Sequence, residues 1–265
     1  MSETSQAPAY DAQATPSTRC ALCQRNAVLK KSHVIPNAYF KSMKNDEGKL
    51  VSFQLESDAE VRLSQDSWYE KLLCGDCEGQ FSALEKRWIE RMRLVHQAYA
   101  NGGSDIELPD FEYDSFRTFL LSIFWRASVS SLTPFETVRL SADENEELRA
   151  ALHAGSTKAV TKWHILFRKV IDREHGLELD QLLIRPTGTA VGTTTRHRFI
   201  FGGFVIDFFN ATMTTPDSLV REAPMFVVRY IAMTDVDEIM YAGVSAIDKN
   251  ERGLADPRIG KMRKA

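Results

Sequence analysis

Apolar and polar positions divide the chain into stretches of different period. The first eighteen residues, rich in Ser, Thr, Ala, Gln and Pro, show no apolar period and predict a flexible lead. Short apolar runs at 50–55 (LVSFQL) and 68–73 (WYEKLL) predict strands. From Cys77 to about Ala100, Phe81, Leu84, Trp88, Met92 and Val95 recur at helical spacing and predict one long helix with a single apolar face. Glu78 and Glu85 fall on that same face. An inward carboxylate must be hydrogen-bonded, paired or bound to a cation, because leaving it alone costs several kcal/mol. Glu78 as a helix cap and Glu85 as the partner of an arginine meet that demand as well as a metal does.

Asn101, Gly102 and Gly103, with the polar run to Pro109, predict the end of the helix and a domain boundary. Phe116–Ser130 (FRTFLLSIFWRASVS) is apolar on most faces and predicts a buried helix, in which Arg126 calls for a structural salt bridge. Ser141 followed by Glu144 is a capping box for a helix running towards His153. Strand runs follow at 164–171, 181–184, 198–201, 204–209 and 225–233, with Gly202-Gly203 as a hairpin turn. His164, His175 and His197 lack metal-ligand spacing and read as structural or surface residues. The pattern predicts an α+β protein with a mainly antiparallel sheet. It divides into a lead at 1–18, a first domain at 19–103, an α+β domain of unassigned role at 104–247 and a flexible basic tail at 248–265.

Composition adds little until it is read locally. The 265 residues carry a net charge of −3, which excludes a globally basic nucleic-acid binder. From Thr18 to Lys44, however, there are six basic residues and no acid. Arg25, Lys30, Lys31 and Lys41 of this segment are therefore the candidate phosphate contacts. The chain shows no secretory-signal pattern and no apolar run approaching the ~18 residues of a membrane span, which predicts a cytoplasmic protein without a membrane partner.

The cysteines sharpen the picture. All four lie in two Cys-x-x-Cys pairs, Cys20 with Cys23 and Cys74 with Cys77. Each pair can present two thiolates from a tight turn, and two turns complete a tetrahedral zinc site, closed and structural. A redox dithiol or unlinked buried thiols are the alternatives. His33, ten residues after Cys23, lies in KKSHVIP, which sets it at a strand end before Pro36.

In order, Cys-x-x-Cys, SHVIP, Cys-x-x-Cys and an immediate helix resemble the zinc-stabilised HNH endonucleases of the ββα-metal finger type, over roughly residues 19–90. The resemblance implies an N-terminal ββα-metal module folded by zinc, with His33 as general base for phosphodiester hydrolysis. It implies a divalent ion, Mg²⁺ or Mn²⁺, held between the first strand and the helix, with Glu78 at the helix position. Ser32 stands where the family commonly has an acid or histidine, and Asn45 is the nearest match to its middle asparagine. The expectation is a metal-dependent nuclease acting on DNA; the alternative is an inactive zinc-folded module that binds nucleic acid or protein. The second domain would recognise the target, bind a protein partner or mediate self-association.

Overall fold

The structure, a computed structural model, describes residues 18–43, 50–52, 62–64, 67–100, 106–108, 111–172, 177–178, 183–191, 194–210, 226–228 and 230–232. The tail at 248–265, nearly all of the lead, Asn45 and His175 lie outside the described residues.

The first hundred residues contain β1 (Leu29–His33), α1 (Asn37–Met43), β2 (Leu50–Ser52), β3 (Arg62–Ser64), β4 (Tyr69–Cys74) and α2 (Gly75–Ala100). β1 and β4 form an antiparallel ribbon in which Leu29 faces Cys74 and His33 faces Tyr69, with an irregularity between Lys30 and Lys31. β2 and β3 pair separately, so the described parts of the insertion are strands, as the sequence predicts. The apolar pattern does not predict α1. It has seven residues, too few to show a period, and buries Tyr39 and Phe40 in its first turn.

β5 (Ile106–Leu108) lies within the polar run that predicts a boundary and pairs with β11 (Phe226–Val228). α3 (Tyr113–Val129) buries every residue from Phe116 to Ser128, which explains why its sequence is apolar all round. A 3₁₀ turn (Thr133–Phe135) leads to α4 (Ala142–His153). There Ser141 and Glu144 form the expected capping box, each side chain bonded to the other's backbone N–H.

The main sheet contains β6 (Trp163–Asp172), β7 (Leu177–Glu178), β8 (Leu183–Val191), β9 (Thr194–Phe201), β10 (Phe204–Asn210) and β12 (Tyr230–Ala232). Its order is β12-β6-β10-β9-β8, with β7 pairing on β6. All pairs are antiparallel except β12 with β6. The run at 225–233, read as one strand, divides between two sheets. Gly202 and Gly203 turn the β9–β10 hairpin at φ of 57° and 75°.

One cluster of buried side chains runs from Leu22, Val34 and Phe40 through Trp88 and Trp125 to Phe167 and Phe208. It crosses the expected boundary at residue 103 without a break. Two ring pairs show how: Trp88 meets Phe116 of α3 at 4.9 Å, and Tyr39 of α1 meets Phe201 of the sheet at 4.9 Å. None of the described helices is long and apolar enough to cross a membrane.

Candidate functional site

The two Cys-x-x-Cys turns come together at the root of the β1–β4 ribbon. The first is closed by hydrogen bonds from the Cys20 N–H to the Arg25 carbonyl and from the Gln24 N–H to the Cys20 carbonyl, both at 2.9 Å. It is fastened to β4 by the Ala21 N–H, which donates to the Leu72 carbonyl. The second straddles the junction of β4 and α2, so Cys77 sits in the first turn of the helix. The four sulfur atoms lie within 4.8 Å of one another.

The Cys23 and Cys74 sulfurs are 3.8 Å apart. A tetrahedron of thiolates with bonds of ~2.3 Å to a central zinc has edges of about 3.8 Å, whereas a disulfide needs ~2.05 Å. The cluster fits a structural metal such as zinc and not a pair of disulfides. Arg25 donates to the Cys23 sulfur at 3.5 Å and pulls that thiol down to about 6. Burial, with the neighbouring sulfurs, pushes Cys77 above the ordinary thiol range. A bound dication reverses that push, since a coordinating thiol is deprotonated.

Above the cluster, β1 and α2 meet at one polar contact. The hydroxyl of Ser32, which is fully buried, donates to Glu78 Oε2 at 2.6 Å and accepts the Leu73 N–H at 3.2 Å. Glu78 Oε1 has no hydrogen-bond partner among the described residues. Successive residues of a strand face opposite sides, so His33 projects away from Glu78. Its ring lies 5.6 Å from that of Tyr69 and 6.3 Å from that of Phe40, and its Nε2 is 3.2 Å from the Ser67 hydroxyl. The residues expected to share chemistry, His33 and Glu78, thus flank the end of β1 rather than touching.

A third group reaches this spot from α3. Arg126, 1% exposed, donates from Nη1 to the His33 carbonyl at 2.6 Å and from Nε to the Ser122 carbonyl. Its Nη2 pairs with Glu85 at 2.6 Å, while its guanidinium covers the Phe81 ring. Burial raises the Glu85 carboxyl, and Arg126 opposes the rise. The salt bridge expected of Arg126 is present; its grip on His33 is not legible in sequence, because nothing local relates positions so far apart.

The candidate phosphate contacts separate. Lys30, Lys31 and Lys41 are exposed, whereas Arg25 is occupied by Cys23 and by Asp76 at 3.1 Å. His197 is buried against Phe124 and Trp163, as a structural histidine, and His164 stacks on Phe209. Compared with protein-family models, curated proteins and solved structures, the chain matches none.

Proposed function

We propose that this chain is an HNH-type, metal-dependent endonuclease that hydrolyses phosphodiester bonds in DNA, folded at its N-terminus around a structural zinc held by Cys20, Cys23, Cys74 and Cys77. The observation that carries the reading is the 2.6 Å contact of Ser32 with Glu78. It joins the residue before the strand-end histidine to the residue after the fourth cysteine, the two places that serve a metal in the family this motif order resembles.

The disposition of the groups suits the reaction. Attacking and leaving oxygens of a phosphoryl transfer lie roughly in line, so base and leaving-group stabiliser belong on opposite sides of the phosphorus. A phosphodiester laid across the end of β1 would have His33 on one side and Glu78 on the other. His33 takes the proton of the attacking water on a ring nitrogen. Ser67 orients its ring, and Arg126 fixes the backbone beneath it.

Mg²⁺ usually keeps several waters and takes one or two carboxylates plus substrate phosphates. Glu78 Oε1 fits that sparse protein contribution, with the Ser32 hydroxyl holding the carboxylate in place from its other oxygen. Such an ion, when bound, neutralises charge on the leaving oxygen. Cleavage of plasmid DNA, measured against added Mg²⁺ and Mn²⁺, tests the assignment. Glu78→Gln is expected to weaken the response to both ions while retaining zinc, and a variant that responds as the wild type does would contradict it.

A second reading, a zinc-folded DNA-binding module without catalysis, draws on Ser32 itself, whose hydroxyl is already engaged as donor and acceptor. Binding without cleavage across divalent ions selects that reading. Cleavage gained by Ser32→Asp would then trace the loss to this position.

A further inference from the structure

We infer that the solvent face of the β1–β4 ribbon grips the DNA backbone through Lys31 and Lys71, with the Tyr69 hydroxyl beside Lys31; this rests on the DNA reading above and names the surface that would serve it. Lys31 and Lys71 are directly opposed across the ladder, and His33 opposes Tyr69 one step along. Alternation places all four side chains on the side away from α2. Lys31 Nζ lies 4.7 Å from the centre of the Tyr69 ring and 3.5 Å from its hydroxyl. Tyr69 is itself 41% exposed. The lysines therefore sit beside His33, the proposed base.

Like charges directly opposed across a ladder destabilise a sheet. No carboxylate among the described residues pairs with either lysine. Glu70, next to Lys71 in the chain, accepts from the Ser130 and Ser131 hydroxyls, and Asp76 pairs with Arg25. Two unopposed ammonium groups on a rigid ribbon are a place for phosphates, whose capture releases condensed counterions and makes binding salt-dependent. Sequence reading alone takes in Lys31 but omits Lys71 and Tyr69, because only the strand register brings them together.

The test is fluorescence anisotropy of the full chain with a labelled ~20-base-pair DNA duplex, in a salt series without added Mg²⁺ or Mn²⁺. Lys31→Ala and Lys71→Ala are each expected to reduce the slope of log K against log salt by about 1, and to weaken binding roughly 8-fold at 0.1 M salt. Lys158→Ala, which removes an exposed lysine paired with Asp114 at 2.9 Å, is the control and should change neither. Because Lys71→Ala relieves a repulsion, its melting temperature should equal or exceed that of wild type. Unchanged slopes in both variants, with a duplex that wild type still binds, would overturn the ribbon as the contact face and leave the DNA reading standing. No binding of the duplex by wild type, or preference for duplex RNA, would overturn both.

Discussion

Arg126, in the last turns of α3, holds the main-chain carbonyl of His33 at 2.6 Å while pairing with Glu85 of α2. One guanidinium thereby locks strand, long helix and buried helix together. Removing one partner of a buried pair leaves an uncompensated group and costs ~3–5 kcal/mol. Arg126→Ala is expected to lower the urea midpoint accordingly. Glu85→Gln should cost less, because the amide keeps the shape of the side chain and an oxygen that can still accept from Arg126. An Arg126→Ala variant as stable as wild type would contradict the lock.

His197 predicts a pH dependence. Burial between aromatic rings lowers its pKa from 6.5 to about 4, with Glu144 opposing. The unfolded chain therefore binds this proton first. The stability it contributes is fully present above about pH 6.5 and is lost as pH falls towards 4, by about 3 kcal/mol in total. Chemical denaturation at pH 7 and pH 4 compares wild type with His197→Phe, and the variant should lose about 3 kcal/mol less across that interval. Equal losses would contradict the assignment.

Gly202 meets two constraints at once. Its φ is +57°, and an added Cβ would lie 2.4 Å from Tyr39 Cδ1 of α1. Gly202→Ala is expected to cost ~2 kcal/mol or more from strain and overpacking. Tyr39→Ala in the same chain would relieve the clash and not the backbone strain. Non-additive melting temperatures in the double-mutant cycle check this.

The elements with strong periodicity are the ones legible in sequence. α2 shows through Phe81, Leu84, Trp88, Met92 and Val95, and the capping box of α4 and the Gly202-Gly203 turn carry local signatures tied to backbone geometry. α1 is too short for a period, and β5 is three residues whose pairing partner lies far along the chain. The same distinction applies to the site. Cys spacing declares the cluster, because ligand chemistry requires near neighbours in pairs. Ser67 beside His33, Lys71 opposite Lys31 and Arg126 beneath His33 depend on register and packing. The shared core likewise could not be read from the polar run at 101–109, which resembles a linker although buried contacts bridge it.

The cysteine cluster predicts metal content and metal-dependent folding. Elemental analysis of freshly purified protein should give about one zinc per chain. Cys74→Ser, which removes a buried thiol of the cluster, should release the ion and unfold the N-terminal segment, since structural zinc contributes ~10 kcal/mol or more to small modules. Metal-free protein that retains its full melting transition would contradict the structural role.

The role proposed for His33, the base in phosphodiester hydrolysis, is tested most directly by comparing DNA cleavage and DNA binding in His33→Ala. The imidazole meets Ser67 and the faces of Tyr69 and Phe40, while Arg126 holds only its backbone carbonyl. The variant should therefore keep the fold, the zinc and nearly the full affinity for a DNA duplex. Its cleavage rate at saturating Mg²⁺ or Mn²⁺ should fall ~10²-fold or more, the range of a lost general base. Cleavage by His33→Ala at the wild-type rate would contradict a role for His33 as the base.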